Sequence, residues 1–133
     1  MAIAIDKLAW LCIENRKVLG ARSRGKELFY LPGGKREAGE SDEAALLREI
    51  REELSVDLVA GSLRHVHDFQ AQADGKPQGT LVKMTCYRAD FRGTITPAAE
   101  IEEVAWLGLA DASRMSLVTR IIVDWLAAND LVD

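Results

Sequence analysis

The stretch Gly33 to Val56, "GGKREAGESDEAALLREIREELSV", decides the reading of this chain. It gathers seven acidic residues, and three of them crowd into "EIREE", Glu49 to Glu53. Ser41 is a good N-cap, and Asp42 and Glu43 stand in the first turn, where the helix dipole favours acids. The segment therefore predicts a helix from Ser41 to about Leu54. On a wheel of 100° per residue, Leu47, Ile50 and Leu54 share a face that should be buried. Glu49, Glu52 and Glu53 fall together on roughly the opposite face, with the small Ala45 between them and Arg48 at the edge, close to Glu52. Like charges at this spacing repel by a few tenths of a kcal/mol per pair, about enough to ask what relieves them. One reading is a solvated helix face. The other is a ligand: oxygen donors on a rigid element suit a hard divalent cation such as Mg²⁺ or Mn²⁺.

The loop before the helix carries the second half of the pattern. Gly33 and Gly34 allow close backbone approach or positive φ, and a carbonyl there could complete a metal site. Lys35 and Arg36 add positive charge where a phosphate could lie. Together these parts suit metal-assisted phosphoryl chemistry, in which water is activated and phosphate oxygens are neutralised.

The spacing also resembles the signature of the Nudix hydrolases, G-x5-E-x7-R-E-U-x-E-E-x-G-U, with U a bulky aliphatic. Here it runs Gly34, Glu40, Arg48, Glu49, Ile50, Glu52, Glu53, Ser55 and Val56. Every position fits except Ser55, where the family has glycine. Such a match arises by chance roughly once in 10⁸ start positions at ordinary residue frequencies. "VLGARSRGKELFYLPGGK" is similar to the strand, loop and strand that precede the box in that family, and "EIEEVAWL" to the acidic segment and strand that follow it. The resemblance implies an α/β/α sandwich, a mixed sheet between helices. It implies hydrolysis of a nucleoside diphosphate linked to another moiety, giving a nucleoside monophosphate and either pyrophosphate or the phosphorylated moiety. It implies that Glu49, Glu52 and Glu53, with the Gly33 carbonyl, hold Mg²⁺ or Mn²⁺, and that Arg48 and Glu40 brace the loop against the helix. The general base varies between subfamilies and is left open. A small nucleotide, most simply a nucleoside triphosphate, is the implied substrate. The rival is a non-catalytic Nudix-fold module that holds a nucleotide for regulation; such relatives usually lose a box carboxylate, and none is lost here. Ser55 should cost a little stability and no chemistry.

Length and composition agree with this reading. The 133 residues predict a single domain spanning 1–133, and 48% hydrophobic content fits one globular core. The net charge of -4 argues against a nucleic-acid polymer as partner. No run approaches the ~18 apolar residues of a membrane span, and nothing at the N-terminus reads as a leader; the expected location is the cytoplasm. Cys12 and Cys86 lie in apolar runs and read as buried, reduced thiols.

The rest of the chain reads as strands and one further helix. "IAIDKLAWLCIE", "KVLGAR" and "ELFYLP" predict strands, the last stopped by Pro32. "VDLVAGSLRHVHDFQAQ" predicts extended structure and "TLVKMTCYRADF" a strand, with a short strand at Val104 to Leu107. "ASRMSLVTRIIVDWLAAND" predicts a terminal helix. That helix is apolar around a wide arc, read as packing within the monomer, with a homodimer face as the other reading. Glu100 reads either as an extra metal ligand or base, or as part of a solvated loop. Arg22 and Arg24 read as nucleotide contacts or surface charges. His65 and His67 should share a strand face but lack a third metal ligand. Trp10, Trp106 and Trp125 read as core.

Overall fold

The computed structural model describes residues 3–133, with side chains from Ile5 onward. Among the described residues nine strands and two α-helices follow one another. The strands are β1 (Ile3–Trp10), β2 (Ile13–Glu14), β3 (Lys17–Ser23), β4 (Gly33–Gly34), β5 (Asp57–Leu58), β6 (Arg64–Gln72), β7 (Leu81–Arg88), β8 (Phe91–Arg92) and β9 (Ile101–Leu107). Helix α1 (Asp42–Leu54) lies between β4 and β5, and α2 (Leu117–Ala128) closes the chain after a 3₁₀ turn at Leu109–Arg114.

The central sheet runs β4-β1-β7-β6. Strands β1 and β7 are parallel and the other pairs antiparallel, so the sheet is mixed. A second sheet, β2-β3-β9, and the short β5-β8 pair flank it. Strand β1 shows why the chain forms layers. Successive side chains on a strand point to opposite faces. Leu8, Trp10 and, just beyond the strand, Cys12 enter one apolar cluster with Ala45, Leu46, Ile50 and Leu54 of α1. Ala9 and Leu11 enter the other, with Val118, Ile122, Val123 and Leu126 of α2. A strand apolar on both faces needs cover on both, and the two helices supply it: the fold is an α/β/α sandwich with a mixed sheet.

Several elements differ from the sequence expectation. "ELFYLP" makes only isolated bridges, Tyr30 with Ala21 and Phe29 with Met115, because its backbone partners are single residues from two separate elements. The pairing strand is instead the Gly33–Gly34 dipeptide, expected as loop, which lies against Leu8 and Ala9. Strand β9 begins at Ile101, three residues before the expected start. The terminal helix starts only after Ser116, whose hydroxyl accepts from the Thr119 N–H. A register shift between His65 and His67 breaks their shared alternation. His65 pairs with Asp68 at 2.6 Å, and His67 stacks on Trp125 at 4.7 Å. Trp10 is fully buried in the core, whereas Trp106 is 40% exposed. Both cysteines are buried and free, and burial pushes each thiol up to about 12. Among the described residues no helix is long and apolar enough to cross a membrane.

Candidate active site

Helix α1 forms where the sequence places it. Ser41 Oγ accepts from the Ala44 N–H at 3.1 Å, and Ser55 ends the helix in the left-handed region at φ 63°. The buried arc is not the one the wheel centred on Leu47, Ile50 and Leu54. Ala45, Leu46, Ile50, Glu53 and Leu54 are buried, while Leu47 lies at the edge. The arc is therefore rotated toward the acidic side and takes in Glu53, which is only 7% exposed. The reason is the glycine loop, which covers that side of the helix.

Gly33 and Gly34 make this cover possible. At Gly33, φ is 148°, and an added Cβ would run into the Leu8 carbonyl oxygen. A residue with a side chain could not lie so close to β1. In that position the Gly33 N–H donates to Glu53 Oε1 at 3.0 Å, so the loop has a definite partner on the helix. At Gly34 an added Cβ would come within 2.5 Å of the Glu49 carboxyl group, so this glycine leaves the space that Glu49 fills.

Arg48 braces the outer side. Its Nε and Nη2 donate to the two oxygens of Glu40, both at 2.8 Å, and Nη2 also donates to the Lys35 carbonyl at 3.1 Å. Glu40 Oε1 in turn accepts from the Glu37 N–H at 2.7 Å. These contacts hold the Glu40 carboxyl down at about 2, with the Arg48 guanidinium the larger cause and the Glu37 N–H the next. Arg48 Nη1 donates to Glu49 Oε1 at 2.8 Å and lies 3.7 Å from Glu52 Oε2.

That last geometry corrects the expectation that three carboxylates point at one place. The guanidinium stands between Glu49 and Glu52. The Glu52 side chain remains 57% exposed and lies outside the cavity beside the loop. Among the described residues no three Asp, Glu, His or Cys side chains are gathered into a closed metal-binding cluster. Glu49 and Glu53 do line a common cavity of about 530 Å³, and Glu100 joins them there. Burial is the main cause that lifts the Glu53 carboxyl to about 8, and the charges of Glu49 and Glu100 push the same way against the Gly33 N–H. Glu49 is raised as well, because burial outweighs its contact with Arg48. Two half-desolvated carboxylates with a third beside them, all oxygen donors, fit a hard divalent cation, which would relieve both their burial cost and their repulsion.

The remaining sequence candidates divide. Lys35 lines the cavity. Arg22 does not: it pairs with Glu103 at 2.9 Å and Glu102 at 3.4 Å, beside the Lys26 carbonyl. Arg24 donates to the Ala99 carbonyl. Arg36 is held by Asp42 at 2.6 Å and Asp6 at 3.0 Å, away from the cavity. Sequence reasoning missed Lys7, Tyr30 and Asp74, which also line it. Lys7 left a signal, a charge interrupting the apolar run of a central strand; Tyr30 and Asp74 left none.

The NUDIX domain family profile matches residues 7–126, which takes in both the glycine loop and α1. The chain belongs to the Nudix family. The family match supports a hydrolase. The E. coli ORF135 protein superposes with a TM-score of 0.72 at 24% identity, covering 97% of this chain and 94% of its own. A MutT NUDIX hydrolase from Burkholderia pseudomallei gives 0.73 at 24% identity, covering 90% and 95%. The dihydroneopterin triphosphate pyrophosphohydrolase of E. coli gives 0.70 at 19% identity, covering 93% and 95%. At these identities the structural likeness speaks for the Nudix fold. No match is found among curated proteins.

Proposed function

We propose that this Nudix domain, read as one unit over 1–133, hydrolyses a nucleoside diphosphate linked to another moiety, most simply a nucleoside triphosphate, with Mg²⁺ or Mn²⁺ as cofactor. Water attacks at the diphosphate. The products are a nucleoside monophosphate and either pyrophosphate or the phosphorylated moiety. The observation that carries this reading is Glu53: a carboxylate buried at a cavity wall, with one hydrogen bond and two further carboxylates beside it. A chain gains no stability from such an arrangement alone.

Glu49 and Glu53 would hold the cation, with Glu52 at the outer side and the Gly33 backbone at the inner. A bound divalent cation lowers the pKa of water and neutralises phosphate oxygens. The chain supplies the rest. The Gly33 N–H fixes one Glu53 oxygen, and Arg48 fixes one Glu49 oxygen, so each carboxylate keeps an oxygen free. Lys35 offers charge to a phosphate in the cavity. Glu100, beside Glu53, would accept a proton from an attacking water. The cavity volume falls in the range of sites for nucleotide-sized ligands. Solved neighbours of this fold include a dihydroneopterin triphosphate pyrophosphohydrolase and a UDP-X diphosphatase, so a substrate panel has to span both classes.

The test is a panel of nucleoside triphosphates, dinucleoside polyphosphates and nucleotide sugars with Mg²⁺ or Mn²⁺, products identified by mass. Metal-dependent release of a nucleoside monophosphate is expected, and Mg²⁺ should raise the melting temperature. Equal turnover in chelator, or nucleotide binding without turnover, would overturn the reading.

A further inference from the structure

The chain has six lysines and eleven arginines, and they are used differently. Seven arginines stand in ion pairs with carboxylates, and none of the eleven lines the cavity. Four of the six lysines do line it: Lys7, Lys26, Lys35 and Lys76. Among the described residues none of these four has a carboxylate within ion-pair distance; Lys83, outside the cavity, is the lysine that does, 3.9 Å from Asp68. The cavity thus holds a set of cations that the fold leaves without partners.

Lys7 differs from the other three. They stand on loops, whereas Lys7 is half-buried on the central strand β1. The alternation of β1 places it on the face that further along carries Ala9 and Leu11, in a position otherwise given to apolar side chains. Burial lowers its pKa, and the nearby Lys35 charge lowers it further, against the opposing pull of Glu53 and Glu49. An ammonium group inside a strand, beside a second ammonium and without an ion pair, costs stability. The carboxylates that line the same cavity carry the opposite charge and the same kind of cost.

We infer that Lys7 is a substrate-binding residue: with Lys35 it forms an anion subsite in the cavity that takes a phosphate group of the nucleotide next to the cation held by Glu49 and Glu53. Lysine suits this place because its three donors rotate freely about a compact charge and can follow phosphate oxygens. The inference rests on the proposed nucleotide-polyphosphate reading of the cavity and adds a residue to it that lies outside the glycine loop and α1.

The probe is inorganic pyrophosphate, titrated calorimetrically in Mg²⁺ buffer against wild type, Lys7→Met, Lys7→Gln and Lys83→Met. Loss of one charged contact to phosphate should weaken pyrophosphate binding about ten-fold or more in both Lys7 variants. Lys83→Met should bind as wild type does. The metal-free Lys7→Met protein should melt at or above the wild-type temperature, because a buried charge is gone. Tight pyrophosphate binding by Lys7→Met overturns the inference, as does no binding by wild type. A clear drop in the stability of both Lys7 variants also overturns it, since Lys7 would then be a structural counter-ion to the carboxylates. These outcomes are separate from the substrate panel: a panel without turnover removes the hydrolase reading, while the pyrophosphate titration reports on Lys7 alone.

Discussion

Helices α1 and α2 are built alike and end up different. Both begin at a serine N-cap, run for 13 and 12 residues, and bury one polar residue among four apolar ones. In α2 that residue is Thr119. Its hydroxyl meets the Ser116 hydroxyl at 2.7 Å, so the helix's own cap satisfies it. In α1 it is Glu53, which receives one N–H from Gly33 and otherwise faces Glu49 and Glu100. One polar group is solved within a single turn. The other is a carboxyl group whose ionised form the chain itself does not stabilise. The comparison separates a residue kept for folding from one kept for a ligand.

The largest expected effect tests Glu53 directly. Glu53→Gln keeps the shape, the acceptor for Gly33 and the helix propensity. It removes the anionic ligand, so turnover at saturating Mg²⁺ should fall on the order of 10²-fold or more. Stability should move the other way. The unfolded Glu53 loses its proton near the ordinary 4.5, while the folded one keeps it to about 8. Between those values the folded state binds more protons, so metal-free stability falls as pH rises through that window and levels off above it. The neutral glutamine of the variant has no such slope. Metal-free melts at pH 5 and pH 8 should show the variant gaining on wild type at the higher pH, on the order of a few kcal/mol. Wild-type turnover in a folded variant would remove Glu53 from the metal site.

Thr119→Val probes the other helix, with a smaller effect. The exchange keeps the shape and removes the hydroxyl partner of the buried Ser116 Oγ, leaving it only the Thr119 N–H, which should cost about 1–2 kcal/mol of stability. Turnover per folded molecule should not change, because Thr119 does not line the cavity. A fall in kcat with an unchanged melting curve would mean that α2 is not the purely structural partner the comparison makes it.

The same contrast explains what could be read from the sequence. The Arg48–Glu40 brace comes from the family resemblance. The Ser41 cap, helix α1 and the first strand depend on local spacing, and the spacing is visible in the string. The rotation of the α1 arc onto Glu53 is not, because it comes from a tertiary contact: Gly33 against the Leu8 carbonyl. The wheel scores a glutamate as solvent-facing unless something covers it. Lys7 left a signal as a charge within an apolar run, but its place beside the carboxylates was hidden for the same reason. Strand register decides that it shares a cavity with Glu49 and Glu53, and register across a parallel β1–β7 pair is set by distant residues. Arg22 and Arg36 erred in the opposite direction: free as letters, they find Glu103 and Asp42 once the chain folds.

The smallest expected effect lies at the end of α1, where the family has glycine and this chain has Ser55. At φ 63° and ψ 22° the residue is in the left-handed region, and its N–H caps the helix on the Arg51 carbonyl at 3.1 Å. A side chain costs about 1 kcal/mol there, whereas glycine enters freely but loses more freedom on folding. These terms oppose each other, so Ser55→Gly should change stability by no more than about 1 kcal/mol, in the stabilising direction. Ser55 is exposed, makes no side-chain hydrogen bond among the described residues and does not line the cavity. Its replacement should therefore leave turnover within a few-fold and the pH slope tied to Glu53 unchanged. Thermal melts at pH 5 and pH 8 alongside turnover check both. A large loss of turnover with intact folding would show that the helix end, as well as its buried face, positions the carboxylates, and α1 would then have no part that serves folding alone.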